Sequence, residues 1–234
     1  MILSSGNRNQ ARTLRTLLAG SETIQAPGAY DCLSARLVEA AGFPVVYMTG
    51  FGTSAAYLGR PDVGLLGMSE MVDNAARIVD AVAIPVIADA DTGYGNAINV
   101  IRTVQSYERA RVAAAHLYHE AGADVLFVEA PENEDEIERI ARELRGIPLL
   151  FNWAEGGKTP PVRFERLREL GFRVVIFPIS TLLTAAHAMT KALEAIRQHG
   201  TPMPVLADMT PFKEFVNFLG FPEIRELERR FSER

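Results

Sequence analysis

Cysteines, long apolar runs and clusters of basic residues are rare or absent in this chain of 234 residues, and each absence excludes a class of protein. It has one cysteine, so no disulfide framework is possible and a reducing compartment is expected. No apolar run is long enough to span a bilayer, and the first nine residues lack the apolar core of a signal peptide. Lys and Arg form no cluster, and the net charge is −5, which argues against nucleic acid as a partner. We therefore predict a cytoplasmic protein that binds neither membrane nor nucleic acid.

The chain does contain a regular alternation of strand and helix patterns. Apolar and β-branched runs predict six strands, at residues 23–26, 45–49, 86–88, 125–129, 149–152 and 174–178. Strands of this kind, separated by amphipathic helices, are typical of a parallel sheet with right-handed crossovers. No linker or low-complexity stretch divides the chain, so we predict one domain over residues 1–234.

Two carboxylates stand at the end of the third predicted strand. Asp89 and Asp91 are two positions apart, so on an extended backbone both point to the same side, and Gly93 and Gly95 then open a loop. In a parallel α/β fold, ligands bind at this end of the strands. Two convergent carboxylates suit a hard cation such as Mg²⁺ or Mn²⁺. The alternative is that one aspartate caps the next helix and the other is only solvated.

Polar residues also follow the other predicted strands. Thr49 and Gly50 follow the second, Glu129 the fourth, Asn152 the fifth and Ser180 the sixth. Each of them alone could be a helix cap, and for Ser180 we favour that interpretation. Their recurrence at the same structural position indicates a TIM-type (β/α) barrel, in which the loops at one rim supply a shared site.

Five sequence blocks in a fixed order carry a family resemblance. They are APGAYD (26–31), MTGFGTSAAYLGRPD (48–62), ADADTGYG (88–95), VEAP (128–131) and NWAEGGKTP (152–160). On these blocks the chain resembles the isocitrate lyase / phosphoenolpyruvate mutase superfamily. It is most similar to the branch that contains methylisocitrate lyase, dimethylmalate lyase and carboxyvinyl-carboxyphosphonate phosphorylmutase.

The resemblance implies a set of site residues. It implies Mg²⁺ on Asp89 and Asp91 and on Glu129, largely through water. It also implies that Asp89 lies against the substrate. The other substrate-binding positions that it implies are Tyr47, Thr49, Gly50 and Phe51 (for the substrate carboxylate), Asp62 (in a loop beside the site) and Asn152 (facing the substrate).

One section that the resemblance leads us to expect is missing. Family members have two more strands between the Asp89 strand and the Glu129 strand, together with a catalytic loop of Lys-x-Cys-Gly-His type. Here, residues 97–121 contain neither Gly nor Pro and predict one long helix, with His116 on its surface. We therefore expect a barrel abbreviated to about six strands, and the catalytic residues of the missing loop have no counterpart.

The resemblance implies a Mg²⁺-dependent lyase that cleaves a carbon–carbon bond of a 2-hydroxy di- or tricarboxylate through the enolate of a 2-oxo acid. Two alternatives stay open. One is phosphorus–carbon chemistry on a phosphonopyruvate-like substrate, and the other is a non-catalytic paralogue or internally deleted remnant that binds metal and oxo acid.

The C-terminal segment predicts assembly. Residues 211–232 form a helical extension with an apolar stripe that nothing later in the chain can cover. The resemblance implies that this helix packs on a neighbouring subunit, as a homodimer or homotetramer. The alternative is that it folds back on its own barrel.

Overall fold

The computed structural model describes residues 9–115 and 125–232. Its centre is a parallel sheet of seven strands. These are β1 (Ile24–Ala29), β2 (Val46–Met48), β3 (Val86–Ala88), β4 (Ala114–Ala115), β5 (Leu126–Phe127), β6 (Leu149–Asn152) and β7 (Phe172–Phe177). Their order across the sheet is β4-β3-β2-β1-β7-β6-β5. All six predicted strands are present, and β4 is an additional one.

Helices connect the strands and cover the sheet. They are α1 (Gln10–Ala19), α2 (Cys32–Ala40), α3 (Gly50–Leu58), α4 (Met68–Ala81), α5 (Ala97–Arg109), α6 (Glu134–Glu143), α7 (Phe164–Leu170) and α8 (Ser180–His199). A 3₁₀ helix (Met203–Asp208), α9 (Phe212–Phe218) and α10 (Phe221–Ser232) follow. The alternation of parallel strands and helices confirms the predicted α/β, TIM-type fold class. Within the described residues, no helix combines the length and the apolar character needed to cross a membrane.

The alternation of side chains along the strands decides which residues reach the site. Tyr47 and Ile87 point to one face of the sheet and belong to one buried apolar cluster, whereas Val46 and Val86 belong to another cluster on the opposite face. Asp89 lies two residues beyond Ile87, so it continues the Tyr47 face. Polar side chains therefore leave the carboxyl end of the sheet above a buried apolar cluster.

The predicted long helix over residues 97–121 is wrong in its described part. Helix α5 ends at Arg109, because the N–H of Val112 donates to the Tyr107 carbonyl and the N–H of Arg111 donates to the Glu108 carbonyl. This is a Schellman motif, in which Arg111, at φ 62°, occupies the left-handed position that glycine usually takes. The chain then enters β4 beside β3. His116 and the end of the predicted helix lie outside the described residues.

The sheet ends at β4 on one side and at β5 on the other. Within the described residues β4 pairs only with β3, and β5 pairs only with β6. The predicted missing section falls between these two strands in the sequence. The strands on either side of the missing section, β4 and β5, are thus the two edge strands of the sheet.

The chain divides into two compact units, one ending at Leu183 and the other running from Thr184 through the C-terminal helices. The sequence predicted a single domain, with the extension starting at residue 211. The C-terminal unit begins within α8, and one domain with an extension over residues 211–232 stays a prediction. Among the described apolar side chains of the C-terminal unit, only that of Ala195 is buried.

Candidate metal and substrate site

The carboxylate of Asp89 is held by three hydrogen bonds at the carboxyl ends of β2 and β3. Its Oδ2 accepts from the Tyr47 hydroxyl and from the N–H of Gly50, each at 3.1 Å. Its Oδ1 accepts from the N–H of Asp91, also at 3.1 Å. Gly50 is the first residue of α3, so the carboxylate lies at the positive end of that helix. These contacts fix the orientation of the Asp89 side chain.

Gly50 leaves a small space between two carboxylates. A Cβ at this position would lie 2.8 Å from Oδ2 of Asp89 and 2.9 Å from Oδ2 of Asp62. Both oxygens therefore face the same point, which only glycine leaves open. Partial burial, followed by the charge of Asp89, raises the pKa of Asp62 above its usual value.

Asp91 joins this acidic group through a turn. The sequence predicted an extended backbone here, but Asp91 has φ 45°, so the chain turns instead of continuing the strand. Withdrawal of its carboxyl group from water, and then the charges of Asp89 and Asp62, raise the pKa of Asp91 to about 6. Three carboxylates thus act on one another where the strand ends, an arrangement that a bound cation would relieve.

The residues predicted to hold the substrate carboxylate have other partners here. Tyr47 and Gly50 both donate to Asp89, and the Thr49 hydroxyl accepts the N–H of Gly52 as the cap of α3. The ring of Phe51 is exposed. The contact of these four residues with a substrate stays a prediction, whereas the hydrogen bonds by which Tyr47 and Gly50 orient Asp89 are visible in the structure.

Glu129 and Asn152 line a separate pocket at the ends of β5 and β6. This cavity of about 350 Å³ is also bordered by Phe127, Lys158 and Thr159. Within residues 9–115 and 125–232, the buried Oδ1 atom of Asn152 has no hydrogen-bond partner. A polar ligand in this cavity would satisfy it, which is consistent with the predicted substrate contact of Asn152.

The structure does not assemble the predicted Asp89, Asp91 and Glu129 metal set. Across residues 9–115 and 125–232, no three His, Cys, Asp or Glu side chains come together as a group that could hold a metal. The sheet order explains this, because β3 and β5 are separated by four strands. The Asp89 and Asp91 pair alone fits Mg²⁺ or Mn²⁺, since Mg²⁺ keeps several waters and takes only one or two carboxylates.

Sequence analysis did not identify two buried hydroxyl groups that support the loop of residues 89–95. The hydroxyl of Tyr107 donates to the Asp89 carbonyl at 2.8 Å, and that of Thr103 donates to the Gly93 carbonyl at 2.9 Å. Burial raises the pKa of Tyr107 to about 12, so its hydroxyl keeps its proton at neutral pH. Their spacing of four residues on one helix was the available signal.

Comparison with known proteins identifies the class to which this fold and acidic site belong. A family model described as phosphoenolpyruvate phosphomutase matches residues 14–117 and 114–197. The chain belongs to this family, within the isocitrate lyase/PEP mutase superfamily.

Three similar proteins show how far the match extends. The chain is 36% identical to 2,3-dimethylmalate lyase of Eubacterium barkeri, over 96% of this chain and 99% of that protein. It is 30% identical to 2-methylisocitrate lyase of Aeropyrum pernix, over 94% of this chain and 91% of that one. A crystal structure of phosphonopyruvate hydrolase complexed with oxalate and Mg²⁺ has a TM-score of 0.86 and 26% identity, covering 97% of this chain and 99% of that chain.

The same comparisons locate the missing section. The two segments matched by the family model overlap at residues 114–117, a range that begins with β4. The alignment with 2,3-dimethylmalate lyase spans 286 positions but covers 96% of only 234 residues, so about 60 positions have no counterpart in this chain. The section that this chain lacks therefore falls between β4 and β5, the two edge strands of the sheet.

Proposed function

We propose that this protein is a lyase, dependent on Mg²⁺ or Mn²⁺, that cleaves a carbon–carbon bond of a 2-hydroxy di- or tricarboxylate. The first substrates to test are 2,3-dimethylmalate and 2-methylisocitrate. The observation that supports this most directly is that the carboxylates of Asp62 and Asp89 face each other across Gly50, and that both act electrostatically on Asp91. This acidic group lies at the carboxyl end of the sheet in a chain that aligns with 99% of a dimethylmalate lyase.

The residues of this chain would act in distinct ways. Asp89 and Asp91 would hold the ion, and Tyr47 and Gly50 keep the Asp89 carboxylate in place. Asn152, in the separate pocket at the ends of β5 and β6, would accept a hydrogen bond from a polar ligand there through its Oδ1, which has no partner among the described residues. When bound, the metal would supply Lewis-acid stabilisation of the negative charge on the 2-hydroxyl oxygen, which becomes the carbonyl oxygen of the 2-oxo acid when the bond breaks.

Turnover should be slow. The resemblance places the catalytic loop in the section that this chain lacks, and a positioned general acid is worth about 10²–10⁴-fold in rate. We therefore expect rates well below the 1–10³ s⁻¹ that is usual for enzymes.

A turnover assay tests the proposal. Each acid is incubated with the protein and Mg²⁺, and the released 2-oxo acid is reduced by lactate dehydrogenase with NADH as the optical signal. Slow release that disappears in Asp89→Asn supports the lyase. Asp135→Asn, an exposed position on α6, serves as the matched control. Release at the same rate in Asp89→Asn contradicts the proposed site.

Two alternatives have observations of their own. The similarity to phosphonopyruvate hydrolase favours phosphorus–carbon bond cleavage, which phosphate release from phosphonopyruvate would detect. The missing 60 or so positions favour a protein that binds metal and oxo acid without turnover. Metal-dependent binding of oxalate, with no product from any of the three acids, would support this second alternative.

We also propose that the protein is a cytoplasmic homodimer or homotetramer, assembled through its C-terminal helices. Phe212 and Phe231 are 82% and 68% exposed. Other large apolar side chains of this unit are exposed as well, namely Met189, Leu193, Met203, Leu219 and Phe221. Surfaces of this kind are typical of interaction sites.

A further inference from the structure

Two hydroxyl groups on one face of α5 hold the backbone of the loop that carries the acidic pair. Tyr107 donates to the Asp89 carbonyl at the start of the loop, and Thr103 donates to the Gly93 carbonyl beyond Asp91. Their residues are 1% and 0% exposed, so water does not compete for these bonds. The loop is thus tied to α5 on both sides of Asp91.

The loop needs such support because its backbone is strained. Asp91 has φ 45° and Tyr94 has φ 58°. Both angles lie in the left-handed region, which residues other than glycine rarely adopt. Conformations of this kind persist only where the surroundings hold them. The ties from Tyr107 and Thr103 are two of the contacts that do so.

Tyr94, within the same loop, also contacts α5 through its hydroxyl. The Tyr94 hydroxyl lies 3.5 Å from the Tyr107 hydroxyl. The hydrogen of Tyr107 is already directed at the Asp89 carbonyl. Tyr94 is therefore the donor in this contact, which joins the loop to α5 at a third point.

We propose that Tyr107 is a positioning residue of the metal site, which fixes the loop so that the carboxylates of Asp89 and Asp91 converge on a divalent cation. Thr103 supports the same loop from its other end. The role in metal binding rests on the proposed function, whereas the positioning of the loop is a property of the protein without metal.

A matched control separates positioning from general stability. Tyr107→Phe removes only the hydroxyl and keeps the buried ring. Thr23→Val removes a bond of the same type and length, because the Thr23 hydroxyl donates to the Phe172 carbonyl at 2.8 Å. Thr23 precedes β1, at the amino end of the sheet and away from the loop. Each variant loses one hydrogen bond from a side-chain hydroxyl to a main-chain carbonyl. Only Tyr107→Phe changes a residue that contacts the loop of residues 89–95.

The first measurement is Mn²⁺ affinity, titrated by electron paramagnetic resonance. We expect about tenfold weaker binding in Tyr107→Phe, the lower end of the range for groups that orient metal ligands, and wild-type affinity in Thr23→Val. Wild-type affinity in Tyr107→Phe overturns the proposal. An equal loss in both variants also overturns it, because that result indicates general destabilisation.

The second measurement needs no metal. The amides of Gly50 and Asp91 both donate to the Asp89 carboxylate, so their hydrogen exchange reports how well that carboxylate is held. We expect faster exchange at both amides in Tyr107→Phe and no change in Thr23→Val. Unchanged exchange overturns the positioning role. If the wild-type protein binds no Mn²⁺, the proposed function fails, and exchange alone decides whether Tyr107 positions the loop.

Discussion

The Tyr47 hydroxyl and the Asp89 carboxylate, 42 positions apart in the chain, meet at 3.1 Å. The meeting follows from strand pairing, because Tyr47 lies opposite Ile87 in the register of β2 and β3. Asp89 then continues on the same face two residues later. A buried tyrosine is thus placed by the sheet itself, and it orients a carboxylate in the loop that follows.

Replacing Asp89 should remove most of the metal affinity. In Asp89→Asn the side chain keeps its size but loses its charge, so we expect Mn²⁺ binding to weaken at least about tenfold. Electron paramagnetic resonance of free Mn²⁺ measures the occupancy, with Asp135→Asn as the exposed carboxylate control. Equal occupancy in wild type and Asp89→Asn would exclude Asp89 from the site.

Oxalate, as a mimic of a 2-oxo acid enolate, should bind only when metal is present. The ion would provide contacts for two of its oxygens, while the acidic group alone would repel the anion. Calorimetry with Mg²⁺ and then with EDTA compares the two conditions. Equal heats in both would contradict metal-dependent binding.

Gly50→Ala should damage the site more than the fold. The new Cβ would lie within 3 Å of carboxylate oxygens of both Asp89 and Asp62, so these side chains must move. We expect weaker Mn²⁺ binding and a smaller change in thermal stability. Gly67→Ala is the control, because there the nearest atom, at 3.3 Å, belongs to the flexible Glu70 side chain. Wild-type metal binding in Gly50→Ala would show that the carboxylates need not face this space.

Without metal, Asp91 should make the protein less stable as the pH rises. The folded pKa of about 6 lies above the ordinary value of 3.8, so folding favours the protonated form. Its stabilising contribution is complete below pH 3.8 and is lost as the pH rises through about 6. In EDTA, the difference in melting temperature between Asp91→Asn and wild type should therefore shift in favour of the variant between pH 4 and pH 7. A difference that does not vary with pH would show that the carboxyl group titrates normally.

Assembly should depend on exposed aromatic side chains of the C-terminal helices. The double variant Phe212→Glu, Phe231→Glu places charges at two exposed positions, so we expect light scattering to report a smaller particle than for wild type. Truncation before Pro211 should have the same effect. An unchanged mass, with wild-type circular dichroism, would indicate that these residues do not mediate assembly, as expected if the segment packs on its own barrel.

The alternation of side chains made much of the site predictable. Asp89 follows Ile87 by two residues and Asn152 follows Leu150 by two, and both apolar residues lie in one buried cluster. Strand periodicity therefore placed these polar groups on the same face. It did not place Glu129, because the separation of β3 and β5 depends on the order of strands across the whole sheet.

Backbone geometry was less predictable. The end of α5 was missed because Arg111 stands where glycine usually marks a helix end. The turn at Asp91 was missed for a similar reason, since no glycine occupies its left-handed position. Tyr107 was overlooked because its partner is a main-chain carbonyl 18 positions earlier, which its four-residue spacing from Thr103 does not identify.

The gap between the edge strands β4 and β5 makes this protein suitable for an experiment in which the missing section is inserted. All six strand pairings that the described sheet contains lie between β4 and β5, on the side away from the gap. One strand added between β4 and β5 would bring the seven strands to the eight of a (β/α) barrel without replacing any existing strand pair. A catalytic loop on such an insert would lie at the same end of the sheet as Asp89. The protein with and without the insert would then allow loss and recovery of activity to be compared in one fold.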